Sequence, residues 1–432
     1  MERLVSFAGL LTMIALAWLL SEKRKQMNLR LILSGVGLQL ALAVLFLSTP
    51  MGDIAFRGAR TLILGLIHCS DQGAEFVFGP SFYDPEFLAK YDSPPFFVTV
   101  LSTVVFFSTL TAVLFHLGVL QWLVKLMARV MVWVMDTSGA ESLCASANVF
   151  IGMTTAPLVI RPYLQTMTRS ELMAMMTGGM ATVAGGTMAA YAAMGADPGH
   201  LMVASLLSAP ASLVIAKIMV PETEPSPTKG EVKVEVPRQD ANILDAACRG
   251  AGEGLKLSLN IAAMLIAFIA LVFLLNWGLA GFSGLVNWGL HYAAAEGARP
   301  WTVEQCLGGR ELTLELLLGW LFAPLAWIMG IEWKDAPAVG MLLGEKTIFN
   351  EFIAYRHLTA PEIKDSISPR SFTIATYALC GFANFGSIAV MIGGIGGLVP
   401  TRRKDFAKYG FRSLIGGALA AFMTAAIAGM LI

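Results

Sequence analysis

Apolar residues recur along this chain in long, nearly unbroken runs. Such runs lie near 3–20, 31–49, 98–123, 172–195, 199–219, 257–280, 371–397 and 410–431. A helix of about 20 apolar residues spans the hydrocarbon core of a bilayer, so these runs predict about eight membrane helices. Three further stretches are apolar but awkward. Residues 54–68 are amphipathic and carry Arg57 and Arg60, which predicts a helix lying along the membrane interface. Residues 140–165 hold two apolar halves split by GMTTAP. Residues 314–355 run LELLLGWLFAPLAWIMGIEW into a second arm bearing GEKTIFNEFIAY. Both of these predict re-entrant hairpins, because non-helical backbone at membrane depth is tolerated only where protein buries it or it lines a cavity.

The order of elements repeats. Hairpin 140–165 precedes a Gly-rich helix 172–195 and a helix 199–219. Hairpin 314–355 precedes a Gly-rich helix 371–397 and a helix 410–431. The first hairpin opens to one side and the second to the other. The fold class expected is therefore an all-α polytopic membrane protein, about eight transmembrane helices plus two opposed re-entrant hairpins in an inverted repeat. In that architecture solutes bind near mid-membrane between the repeats. The Pro- and charge-bearing segment 220–242 divides the halves.

Composition and charge agree with this picture. The 432 residues are 56% hydrophobic and only 14% charged, against about 25% charged in soluble domains. Net charge is zero, which gives no footprint for nucleic acid. Lys23, Arg24 and Lys25 follow the first apolar run rather than precede it, the reverse of a signal peptide. With both termini outside, these residues, Lys125/Arg129, Arg161/Arg169 and Arg402–Lys404 all fall in the cytoplasm, as the positive-inside rule expects. The five cysteines form no CxxC pair and the five histidines no metal-ligand spacing. HExxH and a GxSxG in a hairpin are both missing, so an intramembrane enzyme is disfavoured.

The polar residues at depth carry the chemistry. Asn148, Thr154 and Thr155 sit at the break of the first hairpin; they either cap broken helix ends or serve a solute there. Freed N–H groups suit anionic or accepting groups, and freed carbonyls suit a small cation. Asn350 and Glu351 lie in the second hairpin. A buried carboxylate in a membrane is a functional candidate by default; the alternative is an internal ion pair with Lys346. Asn384 and Ser387 are three apart, so they are expected on one helix face. Phe382 and Phe385 flank them. Glu351, Asn384 and Ser387 together offer acceptor, mixed and donor groups, which suits a polyhydroxyl such as a sugar. The run 178–195 is not a phosphate loop, since no strand precedes it and no GK[ST] follows. Its glycines admit a neighbouring backbone, with Thr182 available there.

These residues resemble a family, the concentrative nucleoside transporters of bacteria. The resemblance runs through GAEFVFG (73–79), ANVFIG with APLVIRPYL (147–164), MTRSELMAMMTGGMATVAGG (167–186), PETE (221–224), APLAWIMG (323–330), the GxKxxxNEFxAY pattern (344–355) and GFANFGSI (381–388). It implies a homotrimer in the inner membrane. In each protomer a transport domain would move across a scaffold, and uptake would be driven by sodium or, alternatively, protons, with no cofactor. It divides the chain into scaffold helices and interfacial helix (1–130), first transport repeat (131–219), cytoplasmic linker (220–256), scaffold helix with an external segment (257–310) and second transport repeat (311–432).

The resemblance also assigns roles. It places ribose recognition on Glu351, Asn384 and Ser387, and an aromatic beside the nucleoside at Phe382. It places sodium at Asn148, Thr182 and the backbone of Ile151 and Val183. Asn148 favours sodium, since proton-coupled relatives tend to lack it. The base-reading loop departs from the pattern. Where the family usually has Gly-Gln-Ser/Thr-Glu, this chain has Gly152-Met153-Thr154-Thr155. An amide has become a thioether and a carboxylate a hydroxyl, while Thr187 adds a polar group where an apolar residue is common. The expectation is an altered base preference, with a modified nucleoside or other ribosylated solute as the alternative substrate.

Overall fold

A computed structural model describes residues 2–84, 87, 95–230, 240–293, 302–307 and 309–432. Parts of the expected linker and external segment, 231–239 and 294–301, lie outside the described residues. The described residues are mostly helical. In chain order the main helices are α1 (Glu2–Leu19), α2 (Leu29–Leu47), α3 (Pro50–Phe78), α4 (Phe96–His116), α5 (Val119–Met135), α6 (Gly139–Ile151), α7 (Arg169–Ala181), α8 (Gly185–Ala193) and α9 (Pro198–Met219). There follow α10 (Ile243–Ala293), α11 (Leu314–Ile328), α12 (Ala336–Ile348), α13 (Glu351–Thr359), α14 (Pro369–Leu379), α15 (Phe385–Leu398) and α16 (Arg403–Leu431).

Caps in the sequence set many of the starts. Ser138 with Glu141 and Thr168 with Glu171 form reciprocal capping boxes at α6 and α7. Asp197 before Pro198 and Ser368 before Pro369 start α9 and α14. Each cap satisfies helix N–H groups that otherwise lack partners, at about 1 kcal/mol apiece. Among the described residues six helices are long and apolar enough to cross a membrane: α1, α2, α4, α9, α10 and α16. Three of the expected spans are instead broken, 98–123 among them, interrupted at Gly118 between α4 and α5. The run 172–195 splits into α7 and α8 around an extended Thr182, and 371–397 splits into α14 and α15 around 380–384. Helix α3 is not among the six and leaves Arg57 and Arg60 on its surface, in keeping with an interfacial position.

Burial separates two groups of helices. In α9 and α16, 89% and 78% of the apolar window is buried, whereas in α1, α2 and α10 the shares are 28%, 28% and 17%. Helices α9 and α16 therefore form the core with α7 and α14, and α10 packs along α4 at the periphery. The segment after α9 is pinned rather than loose. Lys217 Nζ sits 2.7 Å from Glu141 and 3.1 Å from Glu222, and the Gly139 N–H donates to the Thr228 carbonyl.

The second hairpin differs from its expected form. It is not built from 314–328 and the stretch after it. Helix α11 is a separate element packed on α12, and the hairpin is α12 and α13 with its tip at Phe349–Asn350. The segment GIEWKD (330–335) is not a tip at depth but a surface loop. Lys334 pairs with Glu332 there, and a Cβ on Gly330 would meet Ser6 near the chain start. Across the real hairpin, His357 pairs with Glu345 at 2.9 Å and the Ser368 N–H donates to Asp335 at 3.0 Å, so its ends share one end of the bundle. Both chain termini lie at that end, where Arg370 meets Glu2 and the Ile432 carbonyl. The first hairpin, α6 with the short turn Ala156–Val159, opens to the opposite end, where Arg402 donates to the Met167 carbonyl. The inverted arrangement is thus present.

Candidate functional site

Four irregular segments converge at the middle of the bundle: the first tip (152–155), the first break (182–184), the second tip (349–350) and the second break (380–384). Gly152, at φ +77°, ends α6, and a Cβ there would lie 2.8 Å from that of Ala184. Gly381, at φ +143°, ends the run of α14, and a Cβ there would lie 2.8 Å from the Ala181 carbonyl oxygen. Each close approach requires a residue without a side chain in a conformation that glycine adopts freely. Helix ends that would be costly in lipid instead satisfy one another or face a cavity.

Glu351 is the first residue of α13, only 3% exposed. Asn350 caps that helix by accepting the Ile353 N–H at 3.0 Å. The two oxygens of Glu351 are held from different elements. Tyr191 on α8 donates its hydroxyl to Oε1 at 3.0 Å, and Asn384 donates Nδ2 to Oε2 at 2.9 Å. Asn384 is not on a helix face with Ser387, as its spacing suggested. It is the N-cap of α15, and its Oδ1 accepts the Ser387 N–H at 2.8 Å. One amide thus caps a broken helix and grips a carboxylate. The ion pair expected as the alternative for Glu351 is not made. Lys346 is fully buried, but its ammonium donates to the Ala378 carbonyl at 2.8 Å, a freed acceptor at the end of α14 where a cation is favoured.

A cavity of about 500 Å³ opens from this carboxylate, within the range of small-molecule sites, roughly 300–1,000 Å³. Glu351, Asn384, Ser387 and Phe382 line one part of it. Gly152, Met153, Thr154, Thr155 and Thr187 line another, with Ile151 beside them. All nine residues expected to bind solute therefore face one space. The Thr187 hydroxyl donates to the Ala184 carbonyl at 2.8 Å, which leaves its lone pairs to accept. The opposite wall, not foreshadowed by any motif, comes from Ser108 and Thr111 on α4 and Asn260 on α10. Arg249 lies farther along α10 and grips Asp240 at 2.7 and 2.9 Å, holding that carboxyl below the usual carboxylate range. Tyr191 was also missed. Its only signal is its place four residues after Thr187, one helical turn along the same face.

Behind the first tip lie Asn148, Thr182 and Val183, all buried. The Asn148 amide oxygen is buried without a hydrogen-bond partner, although its amide nitrogen reaches Cys144 Sγ at 3.9 Å. A buried acceptor left unmatched is costly. Thr182 donates its hydroxyl to the Gly178 carbonyl at 2.8 Å, so the hydroxyl oxygen keeps free lone pairs. Val183 offers a carbonyl from the break between α7 and α8, though Ser205 donates to it at 3.2 Å. Each of these residues thus keeps an oxygen with lone pairs to offer, the ligand type a small hard cation takes.

Comparison with known proteins places the chain. Residues 8–81 and 200–429 match the N- and C-terminal parts of the Na+ dependent nucleoside transporters, and residues 97–198 match a nucleoside recognition domain. Human solute carrier family 28 member 3 is 40% identical over all of this chain, which spans 60% of that relative's length. An uncharacterized transporter YutK of Bacillus subtilis is 38% identical over the full length of both chains. Among solved structures, CNTnw in an inward-facing substrate-bound state superposes with a TM-score of 0.89 at 38% identity, covering 100% of this chain and 98% of that one.

Proposed function

The chain belongs to the Na+ dependent, or concentrative, nucleoside transporter family, and from that premise we propose that it is a sodium-coupled symporter that takes up nucleosides. The observation that carries this reading is Glu351, a buried carboxylate held by Tyr191 and Asn384 at the rim of a cavity where two opposed hairpin tips meet. Its remaining lone pairs, with Asn384 and the Ser387 hydroxyl, suit the vicinal hydroxyls of ribose. Phe382 supplies an apolar face for the sugar or base. Two helical repeats of opposite orientation around one site suit alternating access by an elevator-like movement of the hairpin-bearing core against α4 and α10. The exposed apolar residues of α10, among them Phe273, Trp277 and Leu285, suit burial in lipid or against further copies in a homotrimer. The basic residues at the α2–α7 end suit a cytoplasmic side, with both termini outside a bacterial inner membrane.

Asn148, Thr182 and the carbonyls of Ile151 and Val183 would hold the coupling ion. The unmatched Asn148 oxygen supports this assignment, because a cation gives that oxygen the partner it otherwise lacks. In proteoliposomes at fixed pH, replacing external sodium by choline is expected to collapse uptake. Uptake sustained by a pH gradient alone would assign the coupling to protons.

The first tip sets the base preference. Met153 and Thr155 face the cavity where an amide and a carboxylate usually read the base edge. A polar edge left without partners costs about 1–3 kcal/mol, which is about five- to 150-fold in affinity per lost contact. Restoring those groups with Met153→Gln and Thr155→Glu together is expected to tighten uridine binding by at least the smaller of these factors, measured by isothermal titration. An unchanged uridine affinity would mean that the tip does not read the base.

A further inference from the structure

We infer that Tyr191 is a positioning residue that sets the sugar specificity of the site by fixing the orientation of the Glu351 carboxylate. The inference rests on the ribose reading of Glu351 proposed above. Tyr191 is fully buried on α8, in the first repeat, while Glu351 sits on the hairpin tip of the second. The tyrosine hydroxyl is therefore a side-chain link between repeats at the site itself.

The geometry leaves the tyrosine little freedom. Its ring stacks on Tyr355, with centroids 4.3 Å apart and planes 20° from parallel, and Phe352 meets it edge-on at 4.9 Å. Tyr355 is anchored in turn, its hydroxyl donating to the Thr376 carbonyl at 2.7 Å. A stacked, doubly flanked ring cannot swing, so the hydroxyl reaches Oε1 from one direction only. Asn384, pinned as the cap of α15, reaches Oε2 from another.

A carboxylate has about four acceptor positions. With one position on each oxygen taken by a fixed donor, its plane can no longer rotate. Glu351 lines the cavity, so a solute there meets a carboxylate already held in one plane. A vicinal diol presents two donors at fixed separation, so it gains from a carboxylate held in one plane. A sugar that lacks one member of the vicinal pair gains much less. Thr187 lies one turn before Tyr191 on the same short helix and lines the same cavity. Helix α8 thus carries both a group at the base end and the group that sets the sugar end.

The test compares three nucleosides with one base: the ribonucleoside and its 2′-deoxy and 3′-deoxy analogues. KM and Vmax are measured in proteoliposomes under a sodium gradient, and binding is measured on the folded fraction from size exclusion, so a lower yield does not blunt the readout. Y191F is expected to raise the KM for the ribonucleoside about tenfold, because the loosened carboxylate gives up about one of its charge-assisted hydrogen bonds to the diol. The deoxy analogues should lose much less, so the preference for ribose shrinks. Equal losses for all three solutes, or no change in any, would overturn the inference and leave Tyr191 a packing residue. E351Q is the control that separates the two readings. If E351Q transports normally, the ribose assignment itself is wrong; if E351Q is inactive and Y191F keeps the wild-type preference, only the role of Tyr191 is wrong.

Discussion

Replacing Glu351 by glutamine is expected to abolish nucleoside uptake without unfolding the protein. The substitution keeps size and shape at a residue only 3% exposed. It removes the charge and converts one acceptor oxygen into a donor. The altered end faces either Asn384 Nδ2, which is itself a donor, or the Tyr191 hydroxyl, which can turn and accept. The second arrangement avoids a donor–donor clash, so the hairpin tip keeps its place. The loss falls on the solute. Hydrogen bonds to a charged group contribute about 1.5–3 kcal/mol each. Losing both of these to a ribose diol costs about 3–6 kcal/mol, or roughly a hundredfold to ten-thousandfold in Vmax/KM at about 1.4 kcal/mol per decade. Radiolabelled uptake into proteoliposomes reads this directly, with size exclusion to establish that the variant is folded. Uptake within a few-fold of wild type would remove Glu351 from the binding site.

A comparable effect, by a different route, is expected for Gly381→Ala. Gly381 sits at φ +143° in the second break, and an added Cβ would lie 2.8 Å from the Ala181 carbonyl oxygen and 2.9 Å from that of Met180. Backbone strain of this kind costs about 1–3 kcal/mol, and overpacking against a neighbour that cannot rotate away adds about 1–3 kcal/mol. The obstacle is backbone, not the end of a flexible side chain. The two breaks must then separate, which displaces Phe382 and Asn384 together. The expected outcome is a fall of several degrees or more in the melting temperature of the purified protein, with uptake lost. A melting temperature equal to wild type would show that the two breaks do not need their close contact.

Much of this was legible in the chain because the bilayer imposes simple rules. Apolar runs of about 20 residues mark spans, and α1, α2, α9 and α16 lie close to where such runs predict. The polar residues at depth also stood out. In a chain with 14% charged residues, Glu351 has few reasons to sit in an apolar stretch other than function. Other features were misplaced for identifiable reasons. The hairpin expected over 314–355 included α11, whereas GIEWKD is a loop at the end of the bundle and the hairpin begins after it. Local pattern reports where a helix stops, not how deep it stops. Asn384 and Ser387 were placed on one helix face because three-residue spacing fits a helix. The same spacing also fits a cap and the third residue after it, and only the coordinates distinguish these.

The feature that defines the site is four irregular segments drawn to one point, two tips and two breaks that lie far apart in sequence. The sequence by itself determined the residue types, the membrane class, the inverted order of elements and the set Glu351, Asn384 and Ser387. Hydrophobic length and local polarity suffice for these. Only the tertiary structure decided that Tyr191 and Asn384 hold opposite oxygens of Glu351, that Lys346 serves a helix end rather than that carboxylate, and that α4 and α10 supply the facing wall. The reason is physical. A hydrogen bond between residues 160 positions apart, as between Tyr191 and Glu351, has no periodicity in the chain, and it exists only once packing has brought the two repeats together.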